Sequence, residues 1–321
     1  MTDVKNQCVP KIGDVLDDRS STGRRRPWSE LKVSNELLSL AYDEVDKSKA
    51  ERLRHCCEFV QFSFDPGTGR KTLSAANFCR VRLCPICSWR RSLKAQAQMM
   101  QIAQFIDKDP NFRVSYILLT LTVENVGASE LSSTIDLMMK GWDRLSRRKR
   151  YKDAVLGHYR ALEITHNVIT DEFHPHFHVL LCVDKNYYKR GYLTQVEWCE
   201  FWKKALRVEY TPICDVRRVK GTDAAAIAEI AKYPAKPQDY ILPNDWDMTV
   251  ETVRVLDKAL AHRRLLAYGG LIADVHRMLH LDDMEDGDMV HLDAKLEDDS
   301  CYKFTYFWYS GYRQYRYDER D

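Results

Sequence analysis

His174-Pro175-His176-Phe177-His178-Val179-Leu180-Leu181 is the stretch whose reading decides the fold and the chemistry. Side chains alternate along a strand, so His176 and His178 share one face while Phe177 and Val179 share the other. Two imidazoles on one face of an otherwise apolar strand suit two ligands of a metal, with Phe177 and Val179 in the core behind them. The preceding strand, Ala161-Leu162-Glu163-Ile164-Thr165, contains a single acid. A turn centred near Thr170, within Val168–Glu172, sets Glu163 opposite residue 177, between or beside the two histidines. A carboxylate in the middle of an apolar strand needs a partner to be buried, and a metal supplies one. His174 shares the parity of the pair and is a candidate fourth group at the strand mouth. Imidazole and carboxylate without thiolate suit Mg²⁺ or Mn²⁺ with open water positions.

Working outward, Val114–Val123 is a β-branched and apolar run that reads as a buried strand, and Ile213–Val219 as another. Leu131–Leu145 and Thr194–Val208 read as amphipathic helices, and Trp89–Ile106 as a long helix. Ala224–Tyr233 reads as a further helix, ended by Pro234. Towards the N-terminus, 31–54 is helical and Cys57–Thr72 is a strand pair turning at Asp65-Pro66-Gly67-Thr68-Gly69. This order predicts an α+β fold, an antiparallel sheet with helices on one face. The aromatic tail Phe304–Tyr317, interleaved with arginines, fits either an edge strand or a surface that stacks on unpaired bases.

The chain has 321 residues, enough for a sizeable core. It is 11% aromatic, with 17 Tyr and 7 Trp, which excludes a disordered chain. It has no long uncharged apolar stretch and no apolar segment near its start, so no membrane partner and a cytoplasmic location are expected. The net charge of +2 is unevenly spread. Arg70–Lys94 holds basic residues and no acid, Arg144–Lys152 is a second basic cluster, and Asp282–Asp299 has nine acids against one lysine. Basic blocks of this kind can hold a polyanion. Arg82, Arg90, Arg91, Lys94, Arg147 and Arg148 are the candidate contacts to such a polyanion.

Ten cysteines in such a chain suggest thiols or metal ligands rather than a disulfide frame. Cys57, Cys79, Cys84 and Cys87 have the spacing C-x21-C-x4-C-x2-C, which fits a structural Cys₄ zinc site. Cys56 competes with Cys57 for the first place. Such a site would tie the neighbouring hairpin to the helix that bears Arg90, Arg91 and Lys94.

Glu229 and Tyr233 lie four apart and stack on one helix face. A phenol is a poor nucleophile at neutral pH. A nearby divalent ion, with Lys232 or Lys236, can stabilise its anion and a phosphate under attack.

Together these segments resemble the plasmid rolling-circle replication initiators, within the endonuclease superfamily named for its His-hydrophobe-His motif. Leu119-Thr120-Leu121-Thr122, His176-Phe177-His178 and Glu229-(three residues)-Tyr233-(two)-Lys236 follow the family's order. Cys84-Pro85-Ile86-Cys87-Ser88-Trp89-Arg90-Arg91, Arg263-Arg264-Leu265 and Tyr268-Gly269-Gly270 resemble the subfamily with a single catalytic tyrosine. The resemblance covers about Asp18 to Asp293.

It implies an enzyme that binds a plasmid's double-strand origin and nicks one strand. Tyr233 would become linked to the 5′ phosphate, with His176, His178 and Glu163 holding the metal and Glu229 activating the water that terminates replication. Host helicase and polymerase would be partners, and the oligomeric state is left open. The expected organisation is an N-terminal arm (1–30), a helical and Cys-rich zinc module (31–110), an endonuclease core (111–240) and a C-terminal region (241–321). Competing readings are a relaxase, whose nucleophile would precede the histidines, a transposase of the same superfamily, and a non-catalytic zinc-dependent DNA-binding protein. Tyr240 is the second candidate nucleophile.

Overall fold

The computed structural model describes residues 10–20, 22–219, 236–292 and 302–319. The expected helix at 224–233, with Glu229, Lys232 and Tyr233, lies outside the described residues. Two compact units emerge, one formed by 1–90 with 288–321 and the other by 91–287. Residues 31–110, expected as one module, are divided between the two units.

The first unit contains α1 (Trp28–Asp43), α2 (Lys47–Arg54), β1 (Phe59–Phe64), β2 (Lys71–Ala76), β8 (Tyr302–Tyr309) and β9 (Gln314–Tyr317). The single helix expected over 31–54 is thus two, because Asp46 caps a new start by accepting from Ser48 N and Lys49 N. The sheet order is β2-β1-β8-β9. Asp65 and Gly69 make the expected turn between β1 and β2: the Asp65 carboxylate accepts from Gly67 N, and Gly69 takes φ +68°. The tail is therefore strand, with Phe304, Tyr306, Tyr315 and Tyr317 buried. Residues 10–20 are not a loose arm. Gly13 N donates to Tyr317 O and Leu16 N to Tyr315 O, while Trp28 Nε1 donates to Asp18 at 2.7 Å.

The second unit is built on a sheet ordered β6-β3-β5-β4-β7. Its strands are β3 (Val114–Thr122), β4 (Val155–Asn167), β5 (Glu172–Asp184), β6 (Cys214–Val219) and β7 (Leu266–Gly270). All pairings are antiparallel, so the expected α+β class holds. Helix α3 (Pro85–Lys108) starts within the first unit's residues and runs on through 91–108. The other helices are α4 (Leu131–Ser146), α5 (Lys149–Ala154), α6 (Gln195–Leu206), α7 (Trp246–Leu260) and α8 (Leu271–Met278).

Helices cover both faces of this sheet, not one. Trp142 of α4 and Trp202 of α6 pack on Phe177, on the face opposite the histidines. A Cβ on Gly141 would stand 3.1 Å from Trp202 and Leu206, so a glycine is what lets α4 and α6 approach. On the histidine face, Ala95, Met99, Ile102 and Ile106 of α3 and Ile272 and Val275 of α8 cover Tyr116, Tyr159, Leu180 and Cys182. This apolar cover occupies one end of that face. The end bearing His176 and His178 lies beyond it.

Candidate metal centre and nucleic-acid interface

The β4–β5 hairpin pairs Glu163 with His176, Ala161 with His178 and Thr165 with His174. The expected register is off by one. Residues paired across an antiparallel ladder share a face, and residue 177 faces the other side, so Glu163 belongs opposite His176. The connection is set by Asn167, whose carboxamide accepts from Ile169 N and Thr170 N, and by Asp171 at φ +50°.

The three groups converge. Glu163 Oε2 is 3.0 Å from His178 Nε2 and 3.7 Å from His176 Nε2. Their ligand atoms all lie within 4.8 Å of one another. His176 Nδ1 donates to His174 O at 3.1 Å, which leaves the Nε2 lone pair aimed at a carboxylate. Lone pairs converging in this way call for a cation between them, so the donor set fits a divalent metal. Burial opposes ionisation of Glu163. With both imidazoles protonated, hydrogen bonds from His176 and His178 outweigh it and hold the carboxyl well below the usual carboxylate range; a metal ion would take the place of those protons. His174 stands apart, with Nδ1 on Asn125 at 2.8 Å.

The remaining family motifs acquire physical roles. In Leu119-Thr120-Leu121-Thr122 the leucines are buried, and Thr120 pairs with His178, its hydroxyl 3.3 Å from Nδ1. Lys236 Nζ reaches Glu163 Oε1 at 3.2 Å, so one of the four expected catalytic residues is placed at the centre. Its backbone N–H donates to the Asp239 carboxylate at 3.1 Å. Asp239 was not anticipated, although Lys236-Pro237 followed by an acid at the third helical position is a capping signal. Arg263 pairs with Asp136 at 2.8 Å. Gly270 adopts φ +58° where a Cβ would stand 2.2 Å from Leu156 O, so Tyr268-Gly269-Gly270 is an edge strand pressed onto β4.

The cysteine cluster needs one correction. Cys56, not Cys57, joins Cys79, Cys84 and Cys87, with all four sulfurs within 4.8 Å of one another. Cys57 takes φ +51°, and that left-handed kink turns consecutive side chains apart. It is buried beside the cluster, and its carbonyl accepts from Tyr315 Oη at 2.6 Å. The Cys56–Cys84, Cys56–Cys87 and Cys79–Cys87 separations are 3.6, 3.7 and 3.7 Å. A tetrahedron with Zn–S bonds of about 2.3 Å has edges of about 3.8 Å, so the four sulfurs fit zinc. Burial first, then the neighbouring sulfurs, push the Cys84 thiol well above its ordinary value. A bound cation removes that conflict.

The expected DNA contacts divide. Arg90, Arg91 and Lys94 are buried, at 1%, 4% and 2% exposure, and do not form an open basic face. Arg90 donates to Met289 O and Val290 O, Arg91 to Glu285 O, and Lys94 to Asp282 at 2.5 Å. Burial lowers the Arg90 guanidinium to about 10. Three cations of the first basic block are therefore held by the 282–290 segment, Arg90 and Arg91 on its backbone carbonyls and Lys94 on the Asp282 carboxylate. Arg82 is partly exposed. Arg147 is exposed and pairs with Asp143 at 2.8 Å, and Arg148 lies 5.7 Å over the Phe201 ring.

No helix among the described residues is long and apolar enough to cross a membrane. No solved structure shows a significant match to this chain. A family model described as "Replication protein" matches residues 70–317. A "Protein rep" from Bacillus amyloliquefaciens is 39% identical, over 94% of this chain and 96% of its own. One from a Bacillus species is 43% identical over 77% and 86%, and one from Lactiplantibacillus plantarum 36% over 88% and 90%. With Thr120, His176, His178 and Lys236 gathered about Glu163 and relatives matching along nearly its whole length, the chain belongs to the Rep family of replication proteins, the plasmid rolling-circle replication initiators.

Proposed function

We propose that this protein starts plasmid replication by nicking one strand of the double-strand origin through Tyr233, and ends it by hydrolysis assisted by Glu229. The observation that carries the reading is the convergence of Glu163, His176 and His178 with Lys236 on Glu163. Incidental core residues would not place two imidazole nitrogens and a lysine around one buried carboxylate. Lys236 follows Tyr233 by three residues, and three residues of chain reach at most about 11 Å.

A divalent ion held by Glu163, His176 and His178 would polarise the scissile phosphate as a Lewis acid. Lys236 supplies positive charge beside it, and Glu163 and Asp239 fix that lysine at its side chain and backbone. The Tyr233 hydroxyl is the attacking group: its oxygen forms the bond to phosphorus as the 3′ oxygen leaves, giving a 5′ phosphotyrosine link and a free 3′-OH. Host helicase and polymerase would extend from that end. Glu229 takes the proton of the water that later releases the strand.

Tyr233→Phe removes only the hydroxyl. It is expected to keep folding and origin binding while abolishing both nicking and the covalent adduct, read on a denaturing gel. An adduct formed by that variant would sink the assignment. Tyr240, the second candidate, is fully buried, which supports the reading of Tyr233 as the nucleophile.

Glu229→Gln separates the two steps. Attack by Tyr233 needs no water, so the first nick should proceed at close to the normal rate. Termination should slow by about 10²–10⁴-fold, the usual contribution of a general base, with overlong products or persistent protein–DNA species. Equal loss of both steps would show that Glu229 positions the helix or the metal instead.

A further inference from the structure

The loop from β5 to α6 reads Lys185-Asn186-Tyr187-Tyr188-Lys189-Arg190-Gly191-Tyr192. Its three tyrosine rings form a cluster with centroid separations of 5.2, 5.7 and 5.7 Å. Only Tyr187 is needed by the fold. It is 2% exposed, and its hydroxyl accepts from Leu193 N at 3.0 Å and donates to Leu193 O at 3.3 Å. Tyr188 and Tyr192 lean on this pillar yet remain 38% and 45% exposed.

Cations surround the two exposed rings. The Arg218 guanidinium, from edge strand β6, lies 4.9 Å over the Tyr188 ring. Arg150 donates to Tyr192 O at 3.0 Å, which brings one cation of the second basic cluster against the loop. Lys185, Lys189 and Arg190 are exposed, with no ion pair among the described residues. This surface lies at the far end of β5 from the candidate metal centre. Asp184 is six residues beyond His178, about 20 Å along a strand.

Exposed rings interleaved with unpaired cations match the two chemical features of an unpaired strand, the π faces of its bases and its phosphates. A duplex hides its base faces, and an acidic protein would use the cations but leave the rings idle. We propose that this loop, with Arg218, binds single-stranded DNA without sequence preference, at a site separate from the Glu163–His176–His178 centre. The proposal holds whether or not Tyr233 is the nucleophile.

The test measures fluorescence anisotropy of a labelled oligo(dT) of about 20 nucleotides, titrated with the full-length protein. Tyr188→Leu with Tyr192→Leu keeps apolar bulk but removes the rings, and should weaken binding about ten-fold or more. Tyr188→Phe with Tyr192→Phe keeps the rings and should bind like the wild type. Lys185→Ala, Lys189→Ala and Arg190→Ala together should flatten the logarithmic salt dependence by about two, at roughly 0.7 for each phosphate no longer neutralised. Binding to duplex origin DNA and the nicking rate should be unchanged in the Leu variant. Three results would overturn the proposal: oligo(dT) binding by the Leu variant within error of wild type, an equal loss in the Phe variant, or an equal loss on duplex. Should the double Leu variant lower Tm, Tyr192→Leu alone, at the more exposed ring, decides between the same outcomes.

Discussion

Cys56→Ser is expected to release zinc and unfold the first unit, whereas Cys57→Ser keeps the metal. The two residues are neighbours and equally buried, so hydrophobicity alone predicts the same result for both. Geometry separates them, because only Cys56 Sγ lies within reach of Cys84 and Cys87. Structural zinc contributes about 10–16 kcal/mol of apparent binding energy, comparable with the whole stability of about 5–15 kcal/mol of an ordinary domain. Losing one ligand therefore threatens the fold itself. Metal analysis and thermal melting under reducing conditions check the pair. Equal zinc in wild type and Cys56→Ser would remove Cys56 from the site, and wild-type protein without zinc would remove the site altogether.

The second large effect concerns the other donor set. His176→Ala with His178→Ala should abolish divalent-dependent cleavage of a supercoiled origin plasmid while leaving zinc bound and Tm nearly unchanged. Glu163→Gln should act through charge. It keeps size and hydrogen bonding but removes the anion that faces Lys236 Nζ and both imidazoles. Metal assistance worth about 3 kcal/mol corresponds to roughly 100-fold in rate, so cleavage should fall at least that far, with a higher requirement for Mg²⁺ or Mn²⁺. Cleavage by Glu163→Gln at the wild-type rate would show that the triad is structural. Zinc lost from the double alanine variant would show that the two centres are not independent.

Much of this was legible in the residues. Strand parity alone placed His176 and His178 on one face, because alternation is a local rule. Register was not local. It depended on Asp171 accepting a left-handed backbone and closing the hairpin one step tighter than its composition suggested. The choice between Cys56 and Cys57 failed for the same reason, since one positive φ reverses which of two neighbours points inward. Arg90, Arg91 and Lys94 were misread because charge density along a chain says nothing about which distant segment lies over it. Here that segment is the acidic 282–290. The tyrosine loop escaped notice because its cations come from three places, 150, 185–190 and 218, gathered only by the sheet.

The first unit's sheet has a consequence for how the chain is made. Strand β1 hydrogen-bonds to β8, and Gln61 meets Thr305, 244 residues later. On the ribosome, the hairpin of β1 and β2 must wait with one edge unpaired while the entire second unit is synthesised, and an unpaired edge invites association with other nascent chains. The four clustered cysteines are all made early, between positions 56 and 87. A metal captured there would tie the ends of that waiting hairpin to the start of α3 before β8 exists. With a metal bound, the cysteine cluster would act in time as well as in space, as a chaperone-like clasp carried within the polypeptide.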